Sequence, residues 1–293
     1  RRSAGGTLMN SSLVTCVDLT LVGEGRPGDA DCVRSAVGTL PGWFRLTAAP
    51  TKPYAAWVLA GDGLWPGVVA RALESGADVV VLDSPEAITV EDIRAFSDAP
   101  APIILAGPRS HAPQFTAFAQ AVSASRASLE WAELLVTATD SAPSSAKLVT
   151  DLWDAITLLR VSGLPVTRLA RTTFGAFGVV ADGVCGATAI HISCVRTPLS
   201  KTEAHLKAFG PDGSIRAFAA DPRTAAPGAV VSVSAESAIT LPTHYQTPRR
   251  LALREVHDVV TQGLVSPHAL PAFAPDAALL DQVRAEAAAS RRP

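Results

Sequence analysis

Short apolar runs alternate with amphipathic stretches over the first third of the chain. VDLTLV, WFRLTA, AAWVLA, DVVVLD and PIILAG are rich in branched residues and bounded by Gly, Pro or Asp, the pattern of parallel strands buried on both faces. Between them GDADCVRSAVGTL, LWPGVVARALESG and TVEDIRAFSD carry helical spacing, with Thr89 as an N-cap and Gly76 at a helix end. A Rossmann-like, doubly wound sheet is predicted over residues 9–107. It is expected to be truncated, because AAWVLAG follows WFRLTA too soon for the dozen or so residues that a crossover helix takes.

Beyond Gly107 the period changes. A helix is predicted near residues 114–125, then the strand WAELLVTAT, then a helix over residues 145–161. After SGLP come the strand-like runs VTRLARTTFG, GATAIHISCVR, EAHLKAFG, SIRAFAAD and GAVVSVSAESAIT, separated by turns such as GPDG. An α+β domain on a mostly antiparallel sheet follows for residues 108–293, with closing helices near 248–263 and 275–290.

Composition narrows the classes of partner. The 293 residues are 48% apolar and carry a formal charge of -2 without long charge runs. That leaves no electrostatic footprint for nucleic acid or anionic membrane, and a small-molecule substrate is the expected partner. No run approaches the ~20 apolar residues of a membrane span. The four cysteines lack CxxC spacing, as free thiols in a reducing cytoplasm would. Met9 is the only methionine, so residues 1–8 read as a vector-derived start, and the excess of Arg and Ala over Lys fits a bacterial source.

The candidate chemistry starts at GEGRPG. Gly23, Gly25 and Gly28 match the GxGxxG spacing of a dinucleotide-binding turn, after an apolar run and before a helix. Pro27 removes a backbone donor, however, and Asp29 brings negative charge to the helix start, where a pyrophosphate would compete for the same amides. After the second strand the stretch TAAPTKPY offers only Lys52 to a ribose or its phosphate. Acid–base candidates are His111, with Arg109 beside it to hold a carboxylate or enolate, and Lys147 with Asp151 one helical turn apart. Asp154 lies close enough to Asp151 to perturb it. Trp65, Asp83, Ser84 and His191 complete the expected pocket lining. His244, His257 and His268 lack partners at ligand spacing, so no metal site is expected, and neither a GxSxG elbow nor a P-loop lysine occurs.

The order of elements, with RALESGADVVVLDSPEAITVEDIRAF, RSHAP, DLWDAITLLRVSGLPV and the closing HDVVTQGLVSPHALPAFAPDAALLDQVRAEAAASRR, resembles the glucose-fructose oxidoreductase / inositol dehydrogenase / MocA (Gfo/Idh/MocA) family from Met9 onward. The resemblance implies a Rossmann domain holding NAD(P), an open-faced sheet through which members often oligomerise, and hydride transfer on a sugar, cyclitol or small carbonyl compound. It also marks departures. The family's Glu-Lys-Pro is here Asp83-Ser84-Pro85, so Ser84 stands where a lysine would meet nicotinamide ribose and substrate. Asp151 stands where the family places its proton-transferring histidine, with Lys147 before it.

Three readings follow. The first is a Gfo/Idh/MocA-like enzyme with a degenerate nicotinamide site, running cofactor-independent acid–base chemistry such as cyclisation, dehydration or isomerisation. The second is an NAD(P)-dependent oxidoreductase with Lys147 or His111 replacing the missing groups. The third is a non-catalytic binding subunit. A homo-oligomer through the second sheet is expected.

Overall fold

The computed structural model describes residues 15–23, 28–60, 64–86, 88–125, 129–141, 143–224, 226–242 and 245–289. Residues 1–8 and Gly25 lie outside them. Five parallel strands come first: β1 (Val17–Val22), β2 (Phe44–Leu46), β3 (Tyr54–Leu59), β4 (Val79–Asp83) and β5 (Ile103–Ala106), in the order β2-β1-β3-β4-β5. β3, β4 and β5 are buried along their whole length. Their odd and even positions serve different layers, because successive side chains of a strand point to opposite faces. Ala55, Trp57, Val79 and Val81 meet α1 (Asp29–Gly38) and α6 (Pro248–Gln262), through Val33, Val37, Leu253 and Val256. Ala56, Val58, Val80 and Leu82 belong to a second cluster with α2 (Trp65–Glu74) and α3 (Val90–Ala95).

The second sheet has eight strands: β6 (Trp131–Thr139), β7 (Arg168–Phe174), β8 (Gly178–Cys185), β9 (Thr188–Thr197), β10 (Glu203–Gly210), β11 (Gly213–Ala219), β12 (Ala229–Ser234) and β13 (Ala238–Thr240). Their order is β13-β12-β11-β10-β6-β9-β8-β7, antiparallel throughout except for the parallel β6–β9 pair. α4 (Pro113–Ser125), α5 (Ser145–Val161) and α7 (Ala274–Ala289) pack on one face. Among the described residues no helix covers the other face, which carries Trp131, Glu133, His191, His205 and Lys207.

The two sheets are joined: α6 returns to the first sheet, and one apolar cluster runs from Val58 and Leu82 through α5 to Ile192 and Leu206. β8 did not register as a strand, because Gly178 and Gly183 interrupt its apolar pattern. In the sheet those glycines allow close approach: a Cβ on Gly183 would lie 2.6 Å from the carbonyl oxygen of Arg168, and one on Gly178 2.5 Å from that of Cys194.

The β2–β3 connection, residues 47–53, contains no helix. It is held instead by Asp18, which accepts hydrogen bonds from the Thr51 amide at 2.7 Å, the Thr51 hydroxyl at 2.9 Å and Arg45 Nε at 2.8 Å. Those bonds replace the packing a crossover helix would supply. They hold the Asp18 carboxyl below its ordinary range, the Thr51 amide contributing most and burial opposing.

Candidate functional site

A cavity of about 350 Å³ opens beyond the carboxyl ends of the parallel strands, facing the inner side of the second sheet, where ligands bind in open α/β sheets. The first sheet and its helices contribute Gly28, Asp29, Ser84, Arg109 and Arg249, and the second layer contributes Val136, Asp151, Asp154, Arg196, Asp221 and Arg223. A groove of about 300 Å³ between α1 and α6 adjoins it and shares Arg223 and Arg249. A wider, open depression at Lys52 and Asp78 lies at the amino edge of the first sheet, away from these groups.

Most charges in the cavity are already paired. Arg196 grips Asp151 with Nε at 2.5 Å and Nη2 at 2.6 Å, and that carboxylate raises the arginine's pKa. Arg223 closes on Asp221, with Nη2 at 2.7 Å. Arg249, at the first turn of α6, donates from Nε to Asp83 and from Nη2 to Asp29, both at 3.0 Å. Burial works against the charge of Arg249, but the two carboxylates outweigh it.

Arg109 differs. Its side chain is buried, the residue 8% exposed, and its Nε and Nη2 have no hydrogen-bond partner. Burial pulls its pKa below the guanidinium norm, opposed by attraction to Asp154, then Asp151. Nε and Nη2 form the side-on fork with which Arg45 holds Asp18, Arg160 holds Asp276 and Arg196 holds Asp151. Arg109 is among the residues that line the cavity, but the Nε and Nη2 of its fork are themselves buried and have no hydrogen-bond partner.

The other candidates divide. Gly28, Ser84, Asp151 and Asp154 line the cavity, and Asp151 is committed to Arg196 rather than to Lys147. Lys147 pairs with Asp140 at 3.0 Å, is half exposed and stands outside the cavity. Trp65 belongs to the core at 2% exposure, its ring 5.9 Å from Phe96, because its place at the start of α2 turns it under the helix. Asp83 lies behind the cavity wall, accepting from Trp57 Nε1, Ser84 Oγ and Arg249. His191 sits on the open face of the second sheet, hydrogen-bonded to Asp182 and Ser193, because its strand position has the outward parity.

His111 turns away as well. At 4% exposure its ring stacks on His268, with centroids 3.9 Å apart, and its Nε2 lies 3.1 Å from Glu255 Oε2. His268 therefore has partners in space that its sequence spacing did not show. His257 donates from Nε2 to the Thr15 carbonyl oxygen at 3.0 Å, with its Nδ1 3.5 Å from the Thr261 hydroxyl and its ring near Trp43, and His244 lies outside the described residues.

Arg196, Arg249, Asp221 and Arg223 were missed. Arg196 was detectable, since it continues the inward parity of Ile192 and Cys194. Arg249 reaches the cavity only through the return of α6, which leaves no local signal. All four cysteines are free. Cys194, behind Asp151, is no nucleophile, because burial and the neighbouring carboxylates push its thiol far up.

For the dinucleotide turn, Gly23 has φ +86° and a Cβ there would lie 2.7 Å from the Leu59 carbonyl oxygen, so the end of β1 passes too close to β3 for a side chain. Gly28, also at φ +86°, is the N-cap of α1. Lys52 pairs with Asp78 at 2.8 Å, at the opposite edge of the sheet from the cavity.

No protein-family model matches the sequence, and no curated protein matches it. Solved structures match the fold over nearly the whole chain. A point mutant of KijD10, a 3-ketoreductase from Actinomadura kijaniata in complex with TDP-benzene and NADP, aligns with a TM-score of 0.70 and 13% identity, over 92% of this chain and 98% of that one. GenD2 from gentamicin A biosynthesis, in complex with NAD, aligns at 0.69 and 15%, over 96% and 97%. Aldose-aldose oxidoreductase from Caulobacter crescentus, complexed with glycerol, aligns at 0.70 and 12%, over 94% and 99%. The chain thus has the two-sheet fold of the Gfo/Idh/MocA-type oxidoreductases.

Proposed function

We propose that the protein is a redox-neutral acid–base enzyme whose substrate is a small carboxylate bound in the cavity between the two sheets. The observation that carries this reading is Arg109, a buried arginine in the cavity wall whose Nε and Nη2 have no hydrogen-bond partner, so that a small turn of the side chain would bring its side-on fork to a bound carboxylate. A substrate carboxylate would satisfy both N–H groups, and the fixed positive charge would stabilise an enolate formed at the adjacent carbon. Asp154, on α5 and lining the same cavity, is the carboxylate assigned to take that proton and return it. Isomerisation, dehydration and cyclisation all begin with such a step. Asp151 and Arg196 act as a rigid wall that positions Asp154 one turn along the helix.

The residues present do not fit a nicotinamide dinucleotide. The β2–β3 connection offers the adenosine ribose neither an acid nor an arginine, and its one lysine is held by Asp78 at the far edge. The start of α1, where a pyrophosphate would lie, carries Asp29, and Arg249 already closes on it. Ser84 donates to Asp83 and brings no positive charge. The second reading, an NAD(P)-dependent oxidoreductase, is favoured by KijD10 and GenD2, which were solved with NADP and NAD.

Calorimetric titration with NADH and NADPH up to millimolar concentrations separates the two. No saturable binding supports the redox-neutral reading, and binding near 1 µM, roughly -8 kcal/mol, overturns it. Titration with succinate, malonate and 2-oxoglutarate then tests the carboxylate fork. Arg109→Ala should lose at least roughly tenfold in affinity for any that bind, since a charge-assisted bidentate contact is removed; unchanged affinity removes Arg109 from the site.

A further inference from the structure

We propose that His111, Glu255 and His268 form a binding site for one divalent transition-metal ion of the zinc class, clamping three segments together beneath the loop that carries Arg109. Two imidazoles and a carboxylate are a ligand set of this class, with a fourth position for water. Their ligand atoms all lie within 4.8 Å of one another. Glu255 Oε2 is 3.1 Å from His111 Nε2 and 2.8 Å from His268 Nδ1. Ligand atoms about 2.0–2.1 Å from a tetrahedral zinc stand roughly 3.3 Å apart, close to the two contacts of Glu255, and the stacked His111 and His268 rings, 3.9 Å between centroids, would turn to aim both nitrogens at the ion.

His111 is held as a ligand would be. Ser110 Oγ lies 3.2 Å from the Gly107 carbonyl oxygen and 3.0 Å from His111 Nδ1. Nε2, in a residue 4% exposed, faces Glu255 Oε2 at 3.1 Å. A metal ion would take the place of the proton between them, accepting from both. Ser110 then fills the role of the outer group that fixes a ligating histidine, and Ser266 does the same for the carboxylate, since it donates to Glu255 Oε1 and accepts from the His268 amide.

The three ligands come from different parts of the fold. His111 lies in the β5–α4 loop, Glu255 on α6, and His268 in the segment after α6 that lays its backbone along β5, where the Leu105 amide donates to the His268 carbonyl at 2.8 Å. The metal would cross-link sheet edge, helix and strap, two residues from Arg109. It lies outside the cavity, so its role is to hold the loop and not to touch substrate.

The test is zinc binding by the full chain after EDTA treatment and dialysis, followed by calorimetry and metal analysis, with cobalt(II) as a spectroscopic substitute. One zinc per chain is expected, with cobalt d–d bands, no thiolate charge-transfer band and a raised thermal midpoint. Glu255→Gln and His268→Gln should each abolish saturation in the micromolar range. Ser110→Ala keeps all three ligands and should weaken binding roughly 10–100-fold, so a ligand variant that fails to fold leaves the proposal testable. Absence of saturable zinc binding by the wild type, binding unchanged in Ser110→Ala and in the folded ligand variants, or a strong thiolate band would overturn it.

Discussion

Replacing Arg160 with methionine should destabilise the protein in a strongly pH-dependent way. Arg160, near the end of α5, donates from Nε and Nη2 to Asp276 in α7 at 2.6 and 2.7 Å, and the Asp276 side chain has no exposed surface. Burial raises the Asp276 carboxyl to about 6, although Arg160 opposes the rise. A carboxyl raised in the folded state contributes stability that is complete below the unfolded value of 3.8 and is lost as pH rises through about 6. The interval amounts to roughly 3 kcal/mol. Arg160→Met strands the carboxylate, and at pH 8 the loss should be about 3–5 kcal/mol. At pH 5 the carboxyl takes up a proton and the loss should shrink to about 2 kcal/mol. Arg160→Met/Asp276→Leu should recover most of the loss, because two apolar groups leave nothing charged to desolvate. Urea unfolding at both pH values measures this, with Trp153 as a local reporter, its ring 6.5 Å from that of Phe273. A loss under about 1 kcal/mol at pH 8, or the same loss at both pH values, would refute the reasoning.

Other outcomes follow from the same geometry. Asp18→Asn should cost about 2–3 kcal/mol at pH 7, since it removes charge-assisted bonds to Thr51 and Arg45. Because the Asp18 carboxyl is lowered in the folded state, its contribution is present above the unfolded value and is lost as pH falls below it, so the variant should show a shallower acid limb in thermal melts from pH 6 to 3. Gly23→Ala should cost at least about 2 kcal/mol by urea titration, as it meets both the positive φ and the Leu59 carbonyl. Asp151→Asn should lower turnover less than Asp154→Asn, once a carboxylate substrate is in hand, because Asp151 is held by Arg196; the reverse order would exchange their roles.

The sheets were legible because their strands carry period-two or continuous apolar patterns. WAELLVTAT and EAHLKAFG are β6 and β10 residue for residue, and the helix over 145–161 is α5. The missing crossover helix was also readable, as a count of residues too small to return along a sheet with a helix. The site was less so. Arg109 and Asp154 could be placed because a loop after β5 and one turn of α5 must face the crevice. His111 is two residues from Arg109 yet points the other way, since the β5–α4 loop reverses between them, and no periodic rule covers a loop. Glu255 and Arg249 enter from a helix about 150 residues later than β5, and only the three-dimensional fold brings such distant positions together.

The return of α6 to the first sheet has a consequence in time. On the ribosome all five parallel strands are made by Ala106, yet Ala55, Trp57, Val79 and Val81 keep part of their cover waiting until Leu253 and Val256 have been synthesised. At about 5–20 residues per second that delay is roughly 8–30 s. During it the face is an apolar surface open to chaperone holdases, and expression of this chain should depend on them more than that of a protein whose first sheet closes on its own helices.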